Sequence, residues 1–399
     1  MAPPPKDYWF HIKYWAVIIP LAYIISFLYM FYPLAGIHKL NQDYNIESCE
    51  KISGPADFRY CEDVILSTTE PGIAYTTCDP ERHLHNKVMG ISSLAPGQTA
   101  KSGGYWRVDY TQRPASIEQF QVKDFDTETD FHPLGMTVDT HPETGERLLV
   151  SVNLPHYGEA SIEFYTIDDA NLELQHKRTI RHEKIYNPNS VHVMKDVRFR
   201  AADGTPSFFF TNDHYFMKAG LLKKIENYFF YLSNVGFYNA RTGEVEKGMN
   251  GMLFANGVTG NDQTLFVAET NRRTIKKYQI LTHEDEQRVP HITLSYQTQA
   301  VFDMAVDNLR FHEEKNLVTV AGHPKGIQAM QYMMAKNKSD VTKPPSQVDV
   351  WDVTTGETET LIKDNGELFT TSTTGALDLV HSKLVVAALF DEGLLICDI

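Results

Sequence analysis

Six polar side chains of this chain are of the types that bind a hard metal ion. Calcium takes carboxylate and amide oxygens, roughly six to eight of them, in a flexible arrangement. Each of the six stands at or beside the predicted start of a β-strand: Glu62, Asp63, Asn189, Asn256, Asp307 and Asn308. Glu62 and Asp307 would balance the charge of the ion. Taken singly these residues are also ordinary turn formers, so spacing alone favours turns over a calcium site.

A repeating β-architecture could bring these side chains together. A short apolar strand that runs into a polar turn is clearest at Phe208–Asn212, which is followed by Asp213 and His214. It recurs about every 55 to 65 residues, at positions 148–153, 265–269, 317–323 and 384–390. Each copy follows another strand that starts with polar or small residues. Such a repeat is typical of a β-propeller, in which the first strand of every blade lines the central channel.

The composition excludes one class of partner. The 399 residues include 37 Lys and Arg against 51 Asp and Glu, a formal net charge of -14 at pH 7. Since no basic stripe is present, nucleic acid is not an expected partner. The length suits one propeller domain, which we place at residues 38–399.

An apolar segment precedes this domain. No charged residue occurs between Tyr14 and Ile37, and a run of this length can span a bilayer. The charge bias around it predicts a cytoplasmic segment 1–13, a transmembrane signal-anchor 14–37 and a body in the lumen or outside the cell. The alternative is a signal peptide cleaved near Ala35, which would leave a secreted body, although the run exceeds the usual length of about 7 to 15 residues.

Two further features suit the secretory pathway. An N-glycosylation sequon begins at Asn337 in a polar loop. The four cysteines include no C-x-x-C pair, which argues against structural zinc. A predicted hairpin with Leu66 opposite Ile73 would place Cys61 opposite Cys78, within disulfide range. Two buried free thiols are the alternative.

Two helices are predicted between strands. Apolar residues recur at helical spacing from Leu221 to Leu232, with Lys223, Lys224 and Glu226 on the opposite face. Such a stripe usually packs on its own domain, which we expect here. The alternative is contact with the membrane that the N-terminal segment enters. A second helix at residues 327–334 carries three methionines and suits either an adaptable binding wall or a filled core.

Four motifs, in this order, resemble one known family. They are TNDHYF at 211–216, FANG at 254–257, VDN at 306–308 and GHP at 322–324. Together they are similar to the serum paraoxonase/arylesterase family, and the similarity runs from about Cys49 to Cys397. The resemblance implies a six-bladed β-propeller with two calcium ions that hydrolyses lactones, aryl esters and some phosphotriesters. It also implies a disulfide between Cys49 and Cys397.

The resemblance assigns metal ligands and shows one departure from the family. The ligands of a catalytic calcium ion would be Glu62, Asn189, Asn256, Asp307 and Asn308. For the second, structural ion the family has an acidic residue where this chain has Ser190. Asp63 and the Met136 carbonyl are left as its possible ligands.

A second departure concerns proton transfer. The proposed catalytic histidine pair of the family falls on Leu134 and Leu154, and His132 and His156 lie two residues from those positions. The candidates for proton transfer or for support of the site that lie inside matched motifs are Asp213, His214 and His323.

These observations predict a membrane-anchored, calcium-dependent hydrolase of a small apolar ester or lactone. One alternative is a biosynthetic cyclase or isomerase on the same propeller, for which the loss of a water-activating base would be no handicap. Another is a non-catalytic binding propeller. The sequence contains no G-x-S-x-G, Walker loop or H-E-x-x-H, so serine-hydrolase, nucleotide and zinc-protease chemistries have no support.

Overall fold

The computed structural model describes residues 6–95, 97–125, 130–218 and 220–399. In this part of the chain six sheets surround a central channel as the blades of a propeller, and one long helix precedes them. The predicted all-β, six-bladed β-propeller preceded by one apolar helix is therefore confirmed.

The helices and strands, in chain order, are α1 Lys6–Ala35, β1 Cys49–Ile52, β2 Cys61–Leu66, β3 Ile73–Cys78, β4 His85–Asn86, β5 Ile91–Ser92, β6 Gly104–Asp109, β7 Ser116–Gln119, β8 Gln121–Lys123, β9 Pro133–Thr140, β10 Arg147–Asn153, β11 Ser161–Asp168, β12 Glu173–Ile180, β13 Pro188–Val193, β14 Phe208–Asn212, α2 Leu221–Phe229, β15 Ser233–Asn239, β16 Glu244–Met252, β17 Ala255–Gly260, β18 Thr264–Glu269, β19 Thr274–Glu284, β20 Pro290–Val301, β21 Ala305–His312, β22 Leu317–His323, α3 Gly326–Met334, β23 Ser346–Asp352, β24 Thr358–Asp364, β25 Ser372–Asp378, β26 Lys383–Ala388 and β27 Leu394–Asp398.

Each blade places its first strand at the channel. Blade 1 contains β2, β3, β6 and β7, and blade 2 contains β9 to β12 with β8 added at its edge. Blades 3, 4 and 5 contain β13 to β16, β17 to β20 and β21 to β24. Blade 6 contains β25 to β27 and is completed by β1, so the start of the body pairs with its end.

Two disulfides reinforce the sheets. Cys49 lies opposite Cys397 in the β1–β27 pair and is bonded to it, as the resemblance implied. This bond closes a loop of 348 residues, and a crosslink of this kind stabilises a fold by roughly 2 to 5 kcal/mol. Cys61 and Cys78 are also bonded. Cys61 lies opposite Cys78 as predicted, but a bulge at Glu62 shifts the rest of the hairpin by one residue, so Leu66 pairs with Ala74 and not with Ile73.

The second strand of a blade is buried on both faces, which explains its continuous apolar run. In β14 the side chains of Phe208, Phe209 and Phe210 are fully buried. Successive side chains of a strand point to opposite faces. Phe208 and Phe210 therefore pack in the core shared with blade 2, and Phe209 packs in the core shared with blade 4.

The first strand of every blade carries a β-bulge near its start. Its pairing with the second strand shifts register there in all six blades. The residues in these bulges are Glu62, Leu134, Gly135, Asn189, Ser190, Asn256, Gly257, Asp307, Asn308 and Thr373. We expected the first strands of blades 3, 4 and 5 to begin at their polar residues, but these strands begin one or two residues earlier. A bulge re-aims the side chain that it carries, which a strand start alone does not do.

Helix α2 exposes most of its apolar stripe, so the expectation that this stripe packs on its own domain is wrong. Lys223 and Glu226 are buried, whereas Leu221 and Leu222 are 73% and 55% exposed. The polar face of α2 lies over the channel, and Phe229 stacks on Phe27 of α1 at a centroid distance of 4.9 Å. The fold therefore reverses the faces that amphipathicity alone suggested.

Helix α1 links an apolar segment to the body. Its residues Ile12–Ala35 are long and apolar enough to cross a bilayer, with a mean hydropathy of 1.9. Most of that segment is exposed, but Leu34 and Ala35 in the last turn are buried. The end of α1 is thus part of the domain that follows it.

Candidate functional site

A cavity of about 610 Å³ lies at the bulged end of the channel. Five bulges and the end of β22 supply its floor: Glu62, Leu134, Asn189, Asn256, Asp307 and His323. Helices α1, α2 and α3 supply its roof, which includes Phe31, Leu34, Lys223, Tyr228, Met330 and Met333. Asn308 donates a hydrogen bond of 2.8 Å to Glu62 at the floor. The structure therefore brings together side chains that are more than 240 residues apart.

Two glycines allow the inner strands to approach each other at this end. A Cβ atom on Gly135 would lie 2.7 Å from the Cα of Ser190, and one on Gly257 would lie 2.7 Å from the Cα of Asn308. Any larger residue would push the neighbouring bulges apart. These glycines thus help to set the distance between the polar side chains of the floor.

Four buried oxygen atoms at the floor accept no hydrogen bond from any residue that the structure describes: Glu62 Oε2, Asn189 Oδ1, Asn256 Oδ1 and Asn308 Oδ1. We call these four atoms the oxygen cluster. The amide nitrogens are engaged with other acceptors, Asn189 with Asp213 at 3.4 Å, Asn256 with Thr270 at 3.1 Å and Asn308 with Glu62. An unpaired buried acceptor costs about 1 to 3 kcal/mol. Four acceptors at one floor therefore fit a shared positive ligand.

The charge of the floor also fits a cation. Burial raises the pKa of Glu62 well above its usual range, and the negative charges of Asp63 and Asp307 raise it further. A divalent cation beside these groups would favour their ionised forms. Among the described residues, no group of three or more His, Cys, Asp and Glu side chains is placed to hold a metal ion. The floor instead offers two carboxylates and three amides, a donor set suited to calcium.

Asp63 does not fit a second calcium ion. It is fully buried, and its carboxylate accepts hydrogen bonds from the N–H of Val64 at 2.9 Å, the N–H of Met136 at 2.7 Å and the hydroxyl of Thr374 at 2.9 Å. Arg310 forms an ion pair with the same carboxylate. The guanidinium group occupies the position of a cation, so the sequence-based suggestion of Asp63 as a metal ligand is not supported by its surroundings.

The candidate histidines occupy different positions. His323 lines the cavity, and its Nε2 lies 3.4 Å from Asp307. His214 is buried and does not line the cavity; one ring nitrogen contacts Asp213 and the other contacts Asn227 of the roof helix α2.

His132 and His156, which lie two residues from Leu134 and Leu154 in the sequence, do not line this cavity. His132 is buried between Asp79, 2.9 Å from its Nδ1, and Asp130, 2.8 Å from its Nε2. The ring of His156 lies against that of His85, with the centroids 3.9 Å apart and the planes tilted by 57°. Leu134 does line the cavity, so the floor carries an apolar side chain at this bulge.

His132 is expected to make stability depend on pH. Burial by itself lowers its pKa, but the contacts with Asp130 and Asp79 outweigh burial and raise the pKa to about 9. Folding therefore strengthens proton binding relative to an unfolded pKa of about 6.5. The resulting stabilisation is complete below about pH 6.5 and is lost as the pH rises through 9. We expect the free energy of unfolding in urea to fall by about 3 kcal/mol from this residue between pH 6.5 and 9.5. His132→Gln should show a smaller fall, and an identical fall would assign the effect to other groups.

Two residues near the site were missed by sequence reasoning. Arg310 lies two residues after the predicted ligand Asn308, between the apolar residues Leu309 and Phe311, and a charged residue at such a place was a usable signal. Lys223 was assigned to the outer face of its helix, whereas it lines the cavity. Local sequence offered no signal for its direction.

The fold and the cavity define this protein as a β-propeller whose channel ends in an oxygen-rich floor covered by helices. A model of the Arylesterase family matches residues 83–399, and the chain belongs to that family. It is similar to Serum paraoxonase/arylesterase 2 of Homo sapiens, 27% identical over 266 residues that cover 65% of each chain. It is also similar to Serum paraoxonase/arylesterase 1 of Homo sapiens, 25% identical over 320 residues, 77% of this chain and 79% of the relative. Serum paraoxonase/lactonase 3 of Oryctolagus cuniculus is 23% identical over 249 residues, 62% and 63% of the two chains. The chain thus spans just under two thirds of the length of the first of these relatives.

Proposed function

We propose that this protein is a calcium-dependent hydrolase of an apolar ester or lactone, held at a membrane by its N-terminal helix. The observation that supports this most strongly is the oxygen cluster at the floor of a largely apolar cavity, in a chain of the arylesterase family. Its relatives carry the words arylesterase and lactonase in their names.

Five side chains would hold the calcium ion: Glu62, Asn189, Asn256, Asp307 and Asn308. Calcium bound there would polarise the carbonyl of the substrate and stabilise negative charge on its oxygen. The two carboxylates balance the charge of the ion. The three amide carbonyls need no reorientation because their nitrogens already have partners.

His323 is the candidate for accepting a proton from the attacking water. Its Nε2 faces Asp307, and its buried Nδ1 has no hydrogen-bond partner in the described part of the chain. A neutral imidazole held in this way can accept a proton at the free nitrogen. Asp213 holds the amide of Asn189, and His214 supports Asp213, so these two would position a metal ligand.

Leu134 supports the alternative of a non-hydrolytic enzyme, such as a cyclase or isomerase. It occupies a bulge at the cavity floor. The resemblance to the family implies one of the two catalytic histidines at this position. General-base assistance contributes about 10² to 10⁴ to a rate. A cyclase or isomerase that does not activate water would lose no rate for lack of a general base. A binding propeller would not need a general base either.

Product analysis with a substrate panel tests the proposal. The panel contains lactones of increasing chain length and aryl acetates, each with calcium and with excess chelator. We expect slow, calcium-dependent hydrolysis that favours the longer, more apolar lactones. If nothing is hydrolysed above the chelated control, the biosynthetic or binding alternatives replace the hydrolase.

Calcium removal is expected to destabilise the protein. Without the ion, the oxygen cluster and the carboxylates of Glu62 and Asp307 are left uncompensated. Chelation should therefore lower the melting temperature. Elemental analysis before chelation should find one calcium per chain, because the guanidinium of Arg310 takes the place of a second ion beside Asp63. An unchanged melting curve in protein that contains no calcium would contradict the metal assignment.

The membrane assignment is supported by the exposed faces of α1 and α2. Phe229 of α2 stacks on Phe27, and Tyr228 lies against Phe31, so α2 stands beside the apolar segment of α1. Exposed Leu221 and Leu222 then continue an apolar surface. Cleavage near Ala35 would remove part of the cavity wall, which favours an uncleaved signal-anchor over a signal peptide.

The topology can be tested through the exposed sequon at Asn337. We expect a single-pass protein with its body in the lumen or outside the cell, so that sealed microsomes protect the body from added protease. We also expect a glycosidase-sensitive mobility shift that Asn337→Gln abolishes. Digestion of the body while a lumenal marker survives would reverse the orientation.

A further inference from the structure

Lys223 is buried in the cavity roof and forms no hydrogen bond or close ion pair with any described residue. It is 3% exposed and lines the cavity, and its Nζ makes no hydrogen bond to any described residue. A buried ammonium group without a counter-ion is costly. The proposed calcium chemistry does not use this group.

The carboxylates near Lys223 already have other donors. Glu226 accepts the backbone N–H groups of Tyr215 at 2.6 Å and Phe216 at 2.9 Å. Asp213 is engaged by His214, Asn187 and Asn189. Burial lowers the pKa of Lys223 even though Asp213 and Glu226 act to raise it.

A second cation lies near this ammonium group. Burial lowers the pKa of Lys87, and the charge of Lys223 lowers it further, while Asp130 opposes the shift. Asn86 and Val88, on either side of Lys87, line the cavity. The carboxylates that act on these two cations, Asp213, Glu226 and Asp130, are each already engaged by other donors.

The N-terminus of α2 faces the same space. Gly220 is the N-cap, makes no side-chain capping hydrogen bond and lines the cavity. A Cβ atom built on Gly220 would have no described atom within 4 Å apart from its chain neighbours, so the space beside the first turn of the helix is open. The backbone N–H groups and the dipole at a helix N-terminus favour an anion.

We propose that Lys223 and the N-terminus of α2 bind an anionic oxygen-containing head group of the substrate, a carboxylate or a phosphate monoester, on an apolar chain. Met330, Met333 and Phe31 would contact the chain, and the reacting carbonyl would reach the floor. The substrate is then an acidic amphiphile rather than a neutral ester. This inference names the substrate class of the proposed hydrolase and rests on that proposal for the ligand being a substrate.

Calorimetric titration of the full chain in neutral-lipid nanodiscs with calcium tests the site. The probes are decanoate, decyl phosphate and decanol, which separate the two head groups from the neutral chain. We expect the parent to bind at least one anionic probe 10- to 100-fold more tightly than decanol, the range of charge-assisted hydrogen bonds. Lys223→Met should reduce this preference below about threefold, and Lys223→Arg should retain it. The control Lys218→Met removes an exposed lysine that does not line the cavity and should behave as the parent.

Two outcomes overturn the inference. The first is that the parent binds all three probes equally. The second is that Lys223→Met binds the anions as tightly as the parent does, which would place the head group on calcium. Methionine keeps the unbranched stem without a charge to bury, so this variant should fold, as circular dichroism will check. Lys223→Gln provides a second neutral variant. The hydrolase proposal fails separately, since a parent that binds the anion through Lys223 but hydrolyses nothing keeps this site and loses that activity.

Discussion

Asn256→Ala is expected to lower kcat/KM for the best lactone by about 10²- to 10³-fold, the size of effect seen when one oxyanion-stabilising group is removed. Asn256 Oδ1 belongs to the oxygen cluster, and its nitrogen is already held by Thr270. Alanine would remove one ligand of the proposed ion without adding charge. Kinetics at rising calcium concentration would separate weaker binding of the ion from a lower rate with the ion bound.

The matched control for this variant is Gln263→Ala. Gln263 carries the same amide group, is exposed and lies in the hairpin at the opposite end of blade 4. It should leave both activity and calcium content unchanged. If Asn256→Ala retains parental activity and calcium content, the floor of the channel is not the metal site.

His323→Ala should lower the rate only if His323 accepts the proton.

Arg310→Met is expected to lower the free energy of unfolding by about 3 to 5 kcal/mol, the usual cost of breaking a buried ion pair from one side. The variant would leave the fully buried Asp63 carboxylate without its cation, while the donors Val64, Met136 and Thr374 remain. Denaturant unfolding at neutral pH measures the loss.

Arg310→Lys serves as the matched control for this second variant. Lysine keeps a positive charge but lacks the planar group of donors, so a smaller loss is expected. Equal stability of Arg310→Met and the parent would show that another group compensates Asp63. Two calcium ions per chain in the parent would contradict the interpretation that the guanidinium takes the place of a second ion.

The types of the floor residues could be read from sequence, but their convergence depended on bulges. Glu62, Asn189, Asn256 and Asp307 are oxygen donors placed near strand starts at propeller spacing. The register shifts that turn them toward one point arise from pairing between strands. Pairing across a sheet is not encoded in any single segment, so the bulges were not predicted.

The α2 stripe shows the same limit. Its periodicity correctly predicted a helix with one apolar and one polar face, since the helical repeat is a local property. Which face is buried depends on what the rest of the fold places beside it. Here a polar channel lies under α2 and an apolar helix lies next to it, so Lys223 points inward and Leu221 points outward.

The sequence by itself determined the propeller repeat and the apolar N-terminal helix. Through the family motifs it also determined the Cys49–Cys397 bond and which residues supply the oxygen atoms of the floor. Each of these follows from local periodicity or from matched motifs. The tertiary structure decided that Arg310 pairs with Asp63 over a separation of 247 residues and that Lys223 faces the cavity. Both depend on contacts between distant segments, because the burial of a charge is set by the side chains that surround it and not by its neighbours in the chain.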